Sequence, residues 1–550
     1  MCARLPLRWL ACLLLLVSCR EERADTIYHN AIVWTGDSSL PIAVVVAVGN
    51  GRILYVGNDS SSHRAGDTRM VDLQGALLVP GFIDNHTHFL LGGYSLTGVQ
   101  LKPVRSRQAF IRAMAEFCCS DSGRGWVRGG DWDHEAMGGE LPTRDWIDSV
   151  TGDRPVLVTR YDGHMALANS KALALAGIDD KTPDPRGGVF LRDANGRLTG
   201  VVKDEAMALV EKAIPPLTQD ELDVFLERAM EHALRHGVTE VDDMGYYGGW
   251  REWETYRKAD REGRLRMRIY SFMPLRDWQR LDSLVTREGR GTGLHRWGGL
   301  KGFVDGSLGS TTAWFHSPYL DDTATRGLQV ADTNDLRRWI LGADAAHLHV
   351  TMHAIGDRAN DFILALYEEV ARRNGPRDRR FRVEHAQHLS AAAIRRFAAL
   401  GVVPSMQPFH LVDDGIWAWK RLDSTRLRGT YAFKSLMASR ANLSFGSDWT
   451  VAPLDPLAGI DAAVNRRTGD GRNPAGWFPE ERISVEQALS CYTAGNAYAG
   501  FREQERGRIR MGMQADMVVL DRNILALPAD SIRTARVMRT IVGGKEVFVR

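Results

Sequence analysis

Cysteine is scarce in this chain: six residues in 550, with no Cys-x-x-Cys pair. Cys2, Cys12 and Cys19 crowd the first turns of sequence, Cys118 and Cys119 are neighbours that could form only a strained vicinal bridge, and Cys491 stands alone. A spaced disulfide framework and a cysteine-held structural zinc are therefore excluded. Net charge is also nearly absent, at +2 from 70 basic and 68 acidic residues. With no dense Lys/Arg tract and no ladder of aromatic and basic residues, general nucleic-acid binding is excluded too. No apolar run approaches the ~20 residues a spanning helix needs. There is no Gly-x-Ser-x-Gly elbow of a serine hydrolase. Gly306-Ser307-Leu308-Gly309-Ser310 lacks the lysine and helix context of a phosphate loop, and reads as a place where backbone turns close to a site.

What is present is ordinary soluble composition, 44% hydrophobic and 25% charged, at a length suited to one large α/β barrel with additions or to several domains. At the N-terminus, Arg4 and Arg8 precede a short apolar run from Trp9 to Val17, and Arg20-Glu21-Glu22-Arg23 follows soon after. This is the layout of an export signal. Leu16-Val17-Ser18-Cys19 resembles a bacterial lipoprotein lipobox, which would make Cys19 the lipidated first residue and tether the protein to a membrane by acyl chains alone. Ordinary secretory cleavage nearby is the alternative. The expected location is the bacterial periplasm or cell envelope.

Residues 24–79 divide into short β-rich segments, and so do residues 504–550, which suggests one small sheet domain built from both ends. Residues 80–503 alternate strand-like and amphipathic segments, the pattern of a parallel α/β fold. Strands are expected at Phe82-Ile83-Asp84, Pro155 to Thr159, Val238 to Asp242, Met267 to Phe272, Leu300 to Val304, His349 to His353, Phe381 to Glu384, Val402 to Met406 and Leu443 to Phe445. Helices are expected at Asp220 to His236, Thr333 to His347, Asp361 to Asn374 and Ala391 to Leu400. The stretch 98–214 is long for one barrel unit and reads as an elaboration over the active face.

The chemistry gathers where strand-like runs end. Val79-Pro80-Gly81-Phe82-Ile83-Asp84 delivers His86 and His88, two residues apart, and alternate residues of a strand face one side. His353, His385 and Asp448 each close another apolar run. In an α/β barrel the C-terminal strand ends form the active face, so these groups would converge. Imidazole is the commonest metal ligand. Asp84, Glu384 and Asp357 are candidates to orient a ligating imidazole, with a turn cap or salt bridge as the alternative for each. His388 with Gln387, and also His164, His410, Trp132 and Trp314, are candidates for lining a pocket or contacting substrate, against the plainer reading as core residues.

The segments VPGFIDNHTHF, LKGFVDGSLGSTTAW, MHAIGDRAND, VEHAQHL, SMQPFH, FGSDW and GRIRMGMQADMVVLD occur in an order that resembles the amidohydrolase superfamily, and within it the amidohydrolase 3 family that includes N-substituted formamide deformylase. The resemblance runs from about residue 26 to the end. It implies a (β/α)8 TIM-like barrel with a β-sandwich from both chain ends, and a divalent metal centre, zinc foremost, of one or two ions. His86, His88, His353, His385 and Asp448 match the family's ligands. Lys301 stands where relatives carry a fourth-strand lysine; as a neutral amine it could add carbon dioxide and ligate as a carbamate, or it could simply pair with an acid such as Asp305.

The activity so implied is hydrolysis of a non-peptide carbon–nitrogen bond, of amide or N-formyl type, in a small molecule. A metal-bound hydroxide would attack, Asp448 would shuttle the proton, and His388 would assist at the oxyanion. The alternatives are a lactonase or esterase on the same site and a non-catalytic anchored binding protein. Homo-oligomeric assembly is compatible with all of them.

Overall fold

In the computed structural model, residues 23–120, 125–160, 165–186, 188–245 and 249–550 are described. The segment expected to be an export signal, with Cys19, lies outside them, and so does His164. Among the described residues no helix is long and apolar enough to cross a membrane.

Eight parallel strands form the centre: Phe82–Thr87, Val238–Asp243, Arg268–Pro274, His295–Phe303, His349–Ala354, Arg382–His385, Val403–Met406 and Ser444–Phe445. Here they are the first to the eighth barrel strands, in chain order. Each pairs with the next in parallel register, and a parallel bridge between Thr87 and Trp449 joins the first strand to the segment after the eighth. That seam is tight. A β-carbon at Gly446 would lie 2.5 Å from Asn85 Oδ1 and 2.7 Å from the His86 nitrogen, so only glycine lets the two segments meet. The strands are buried on both faces because helices such as Gln219–Arg235, Asp357–Asn374 and Ala391–Leu400 lay apolar stripes against them.

The two chain ends make a pair of sheets. One has four strands, from Thr26–His29, Val45–Gly49, Arg52–Gly57 and Arg69–Asp72; the other has six and mixes Ile32–Trp34, Ile42–Ala43 and Leu77–Pro80 with Met517–Leu520, Val537–Val542 and Lys545–Val549. Tyr28, Val46, Val48, Leu78, Met517 and Ile541 share the core between them. A buried Arg268–Asp516 ion pair at 2.7 Å ties this unit to the third barrel strand.

The elaboration between the first and second barrel strands has its own six-stranded sheet, running from Val99–Gln100 to Leu198–Asp204, with one apolar cluster on each face. The strand expected at Pro155 to Thr159 belongs here, as Leu157–Arg160, and not to the barrel. Trp132 also belongs here. It is fully buried among Phe110, Trp146 and Val158, and its indole donates to the Val158 carbonyl at 2.9 Å. The expectation of a substrate-contacting Trp132 is thereby corrected: the ring is the centre of a separate core.

Candidate metal centre

At the C-terminal mouth of the barrel a cleft of about 430 Å³ narrows onto His86, His88, Lys301, His353, His385, His410 and Asp448. None of the described residues of the elaboration lines it. The first strand carries His86 near its end and His88 one residue beyond, with ring centroids 5.8 Å apart. The fourth, fifth and sixth strands carry Lys301, His353 and His385, and Asp448 follows the eighth. His353 and His385 stand 4.5 Å apart, and His86 and His385 5.0 Å. His385 (φ 74°) and Asp448 (φ 57°) both sit in the left-handed region, unusual for residues with a side chain. Such strain costs on the order of 1–3 kcal/mol each and is held where the surroundings over-determine it.

The imidazoles are set by their outer partners. His86 Nδ1 is 2.6 Å from Glu384 Oε2, and because a carboxylate only accepts, Nδ1 carries the proton and Nε2 keeps its lone pair. His88 Nδ1 donates to the Gly245 carbonyl at 2.7 Å, which turns Nε2 toward Asp448. His353 is turned the other way: Nε2 donates to the Gly306 carbonyl at 3.0 Å, so Nδ1 is its acceptor. Burial, with the Lys301 ammonium adding to it, pushes His86 down to about 4 and His353 to about 3. Both rings are therefore neutral at pH 7.

Asp448 Oδ1 lies 3.4 Å from His86 Nε2 and 3.3 Å from His88 Nε2, yet makes no hydrogen bond. Burial raises its pKa, and positive charge among the surrounding histidines outweighs that and holds it well below the usual carboxylate range, so the carboxylate is at ease where a proton or a metal cation sits among the rings. A carboxylate facing imidazole lone pairs in a dry site is repulsive unless a cation lies among them. His385 Nδ1 and His410 Nε2 are likewise buried without a partner, where an unmet polar atom costs about 1–3 kcal/mol. Two sets of ligand atoms, His86–His88–Asp448 and His385–His410–Asp448, each lie within 4.8 Å of one another and share the aspartate. The donor set, nitrogen with one oxygen, suits a divalent ion such as zinc. The residues fit the metal.

Lys301 is 5% exposed, with Nζ 3.3 Å from His86 Nε2. Burial pushes its pKa down to about 8 against the pull of Glu384 and Asp448, so a useful fraction is neutral amine at pH 7.

Glu384 is the one of the three expected orienting acids that reaches a ligand ring. It also accepts from Ser405 at 2.6 Å, from Arg382 Nε at 2.9 Å and from Thr351. Arg382, fully buried, pairs in turn with Asp242 on the second strand. Asp84 instead accepts from the backbone of His86 and Ser447, holding the first strand to the eighth, and Asp357 caps the His316 nitrogen away from the cleft.

Two expectations need correction. His388 does not line the cleft: its Nδ1 is 2.8 Å from Thr430 Oγ1 and its Nε2 3.2 Å from Gln387 Nε2, leaving neither nitrogen for an oxyanion. Trp314 packs on Phe362 and under the Arg358 guanidinium, also off the cleft. His410 does line the cleft, and it also lies within ligand reach of His385 and Asp448. The aromatic wall is made instead by Phe303 and Trp417, which sequence reasoning did not single out. Nothing local marks Trp417: it follows a short helix, Histidine 410 to Asp414, whose orientation only the fold reveals.

The amidohydrolase family profile matches residues 69–548. Protein LONG AFTER FAR-RED 3 of Arabidopsis thaliana is 40% identical, covering 96% of this chain and 92% of its own. Putative amidohydrolase YtcJ of Bacillus subtilis is 32% identical over 95% and 99%, and N-substituted formamide deformylase of Arthrobacter pascens 28% over 95% and 98%. The crystal structure of an uncharacterized metal-dependent hydrolase from Pyrococcus furiosus superimposes with a TM-score of 0.75 at 31% identity, covering 91% of this chain and 99% of that one. With eight parallel strands and a nitrogen–oxygen ligand set at their C-terminal ends, the chain belongs to the amidohydrolase family and is a metal-dependent hydrolase.

Proposed function

We propose that the protein hydrolyses a non-peptide carbon–nitrogen bond, of amide or N-formyl type, in a small molecule. The observation that carries this reading is Asp448. Its buried carboxylate is shared by both ligand sets, and one oxygen is left without a hydrogen bond at the inner end of the cleft. His86, His88, His353, His385 and Asp448, with His410 and Lys301 alongside, would hold a divalent ion there, which would supply an acidified water and an electrophile for the scissile carbonyl. Asp448 is the group placed to take a proton from the attacking water and return it to the leaving nitrogen. Glu384 keeps His86 in the tautomer that points Nε2 inward. Phe303, Leu308 and Trp417 give the cleft an apolar side beside the ligand set. The Lys301 amine, lowered to about 8 by burial, could take up carbon dioxide and would then join the ligand set as a carbamate.

The test is Asp448→Asn in zinc-loaded protein assayed on N-formyl amines. Loss of about 10³-fold or more in kcat, with most of the metal retained, supports the proton role. Turnover within a few-fold of the parent sinks it. Metal stoichiometry with Lys301→Ala reads the carbamate: two ions falling to one supports it, and one ion in both rules it out. We further propose an envelope location through lipid on Cys19, which intact mass of the membrane-extracted protein tests.

A further inference from the structure

The outer wall of the same cleft gathers acceptors at one place, around Gln387, Asp413 and Asp414. The helix His410–Asp414 aims His410 at the metal centre and, three and four residues on, brings Asp413 and Asp414 to the wall, as helical spacing dictates. Asp414 Oδ2 accepts from Tyr431 Oη and from Gln387 Nε2, each at 2.6 Å. This settles the Gln387 amide, since its carbonyl turned toward the carboxylate would be repelled. The second amide hydrogen goes to His388 Nε2 at 3.2 Å, and His388 gives its own Nδ1 hydrogen to Thr430. Both hydrogens of Gln387 are thus committed. Its side chain is 3% exposed and lines the cleft, and its carbonyl oxygen has no partner among the described residues.

The charge on this wall is not cancelled from nearby. Among the described residues Asp413 has no ion pair, and Asp414 is met only by neutral donors. Lys301 is sequestered beside His86 at the inner end. Arg421 lies over the Trp417 ring at 5.5 Å and is engaged by Thr311 and by Asp321, while Lys420 lies over Trp419. Trp417 itself lines the cleft with the two aspartates. Two carboxylates, an amide carbonyl and an indole make a surface that attracts a cation and repels a carboxylate.

We propose that this wall is a specificity subsite for a cationic nitrogen, an ammonium or guanidinium, carried by the substrate a few carbons from the bond that is cleaved. The inference deepens the hydrolytic reading above and, for turnover, rests on it. Gln387 and Asp414 take the N–H groups at the base of the wall, Asp413 adds charge at its rim, and Trp417 covers the alkyl chain and the cation.

The experiment compares the mono-N-formyl derivative of 1,4-diaminobutane with N-formylpentylamine, its neutral isostere, on zinc-loaded protein. The expected kcat/KM is at least about tenfold higher for the cationic substrate, the gain of a cation–π contact plus a partly screened ion pair. Asp413→Asn and Asp414→Asn should each shrink that ratio several-fold, through KM, and added salt should shrink it further. Equal or better turnover of the neutral amide overturns the subsite while leaving the hydrolase intact. If neither amide is cleaved, the hydrolytic reading fails and the subsite is judged by calorimetry alone. Pentylammonium binding at least tenfold tighter than 1-pentanol supports it, and equal binding overturns it.

Discussion

Replacing Glu384 with Gln separates the metal centre from the scaffold beneath it. The side chain is fully buried, with Oε2 at 2.6 Å from both His86 Nδ1 and Ser405 Oγ, and Oε1 at 2.9 Å from Arg382 Nε. Glutamine keeps the volume and removes one charge. Arg382, with no exposure of its own, is then left with Asp242 as its one acid partner. Weakening a buried pair in this way costs about 3–5 kcal/mol. His86 loses a charged acceptor as well, and outer partners of this kind are worth about 10–100-fold in metal affinity. Zinc affinity by chelator competition and urea unfolding of the metal-free protein read the two effects separately. Asp516→Asn, which breaks the buried Arg268 pair at the barrel's far side, is the control: it should lose comparable stability and keep its zinc affinity. Zinc affinity of Glu384→Gln within twofold of the parent would refute the orienting role and leave only the structural one.

Gly92→Ala should disturb the same centre from behind. A β-carbon there would lie 2.2 Å from the Trp449 indole, next to Asp448, so overpacking of about 1–3 kcal/mol is expected in thermal unfolding, with turnover falling as Asp448 is displaced. His295 should make the barrel acid-sensitive. Burial pushes it down to about 3, so between there and its ordinary 6.5 the unfolded chain binds more protons. Its stabilising contribution is complete above pH 6.5 and is lost as the pH falls. By pH 5 the loss is about 2 kcal/mol, and His295→Gln should flatten the difference between urea midpoints at pH 7 and pH 5. An unchanged slope in the variant would show that other groups carry it.

The barrel was legible because its strands are short apolar runs, several of which carry a site residue at or just past the C-terminal end. The helix Ala391–Leu400 follows its apolar spacing and stops at Gly401, in the left-handed conformation a β-carbon resists. His86, His88, His353, His385 and Asp448 could be named as one group because strand ends converge by geometry. Residues off the strand ends were not legible in the same way. His410 and Trp417 depend on how a short helix leans, and Gln387 acquires its role from Asp414, 27 residues later. Trp132 looks alike in sequence whether it faces a cleft or a core. The Pro155 to Thr159 segment is as β-rich as any barrel strand, and only its neighbours decide which sheet receives it.

The seam between the first and last barrel segments has a consequence for how the protein matures. Ser447 donates to Asp84 across 363 residues of sequence, and Asp448 donates its backbone to His86. Such long-range pairings form late, because the closure entropy is met before the contact rewards it. A nascent chain therefore has its first two histidines without Asp448 to complete them. Metal capture is a property of the finished polypeptide, and the site is incomplete until nearly all of the chain has been made.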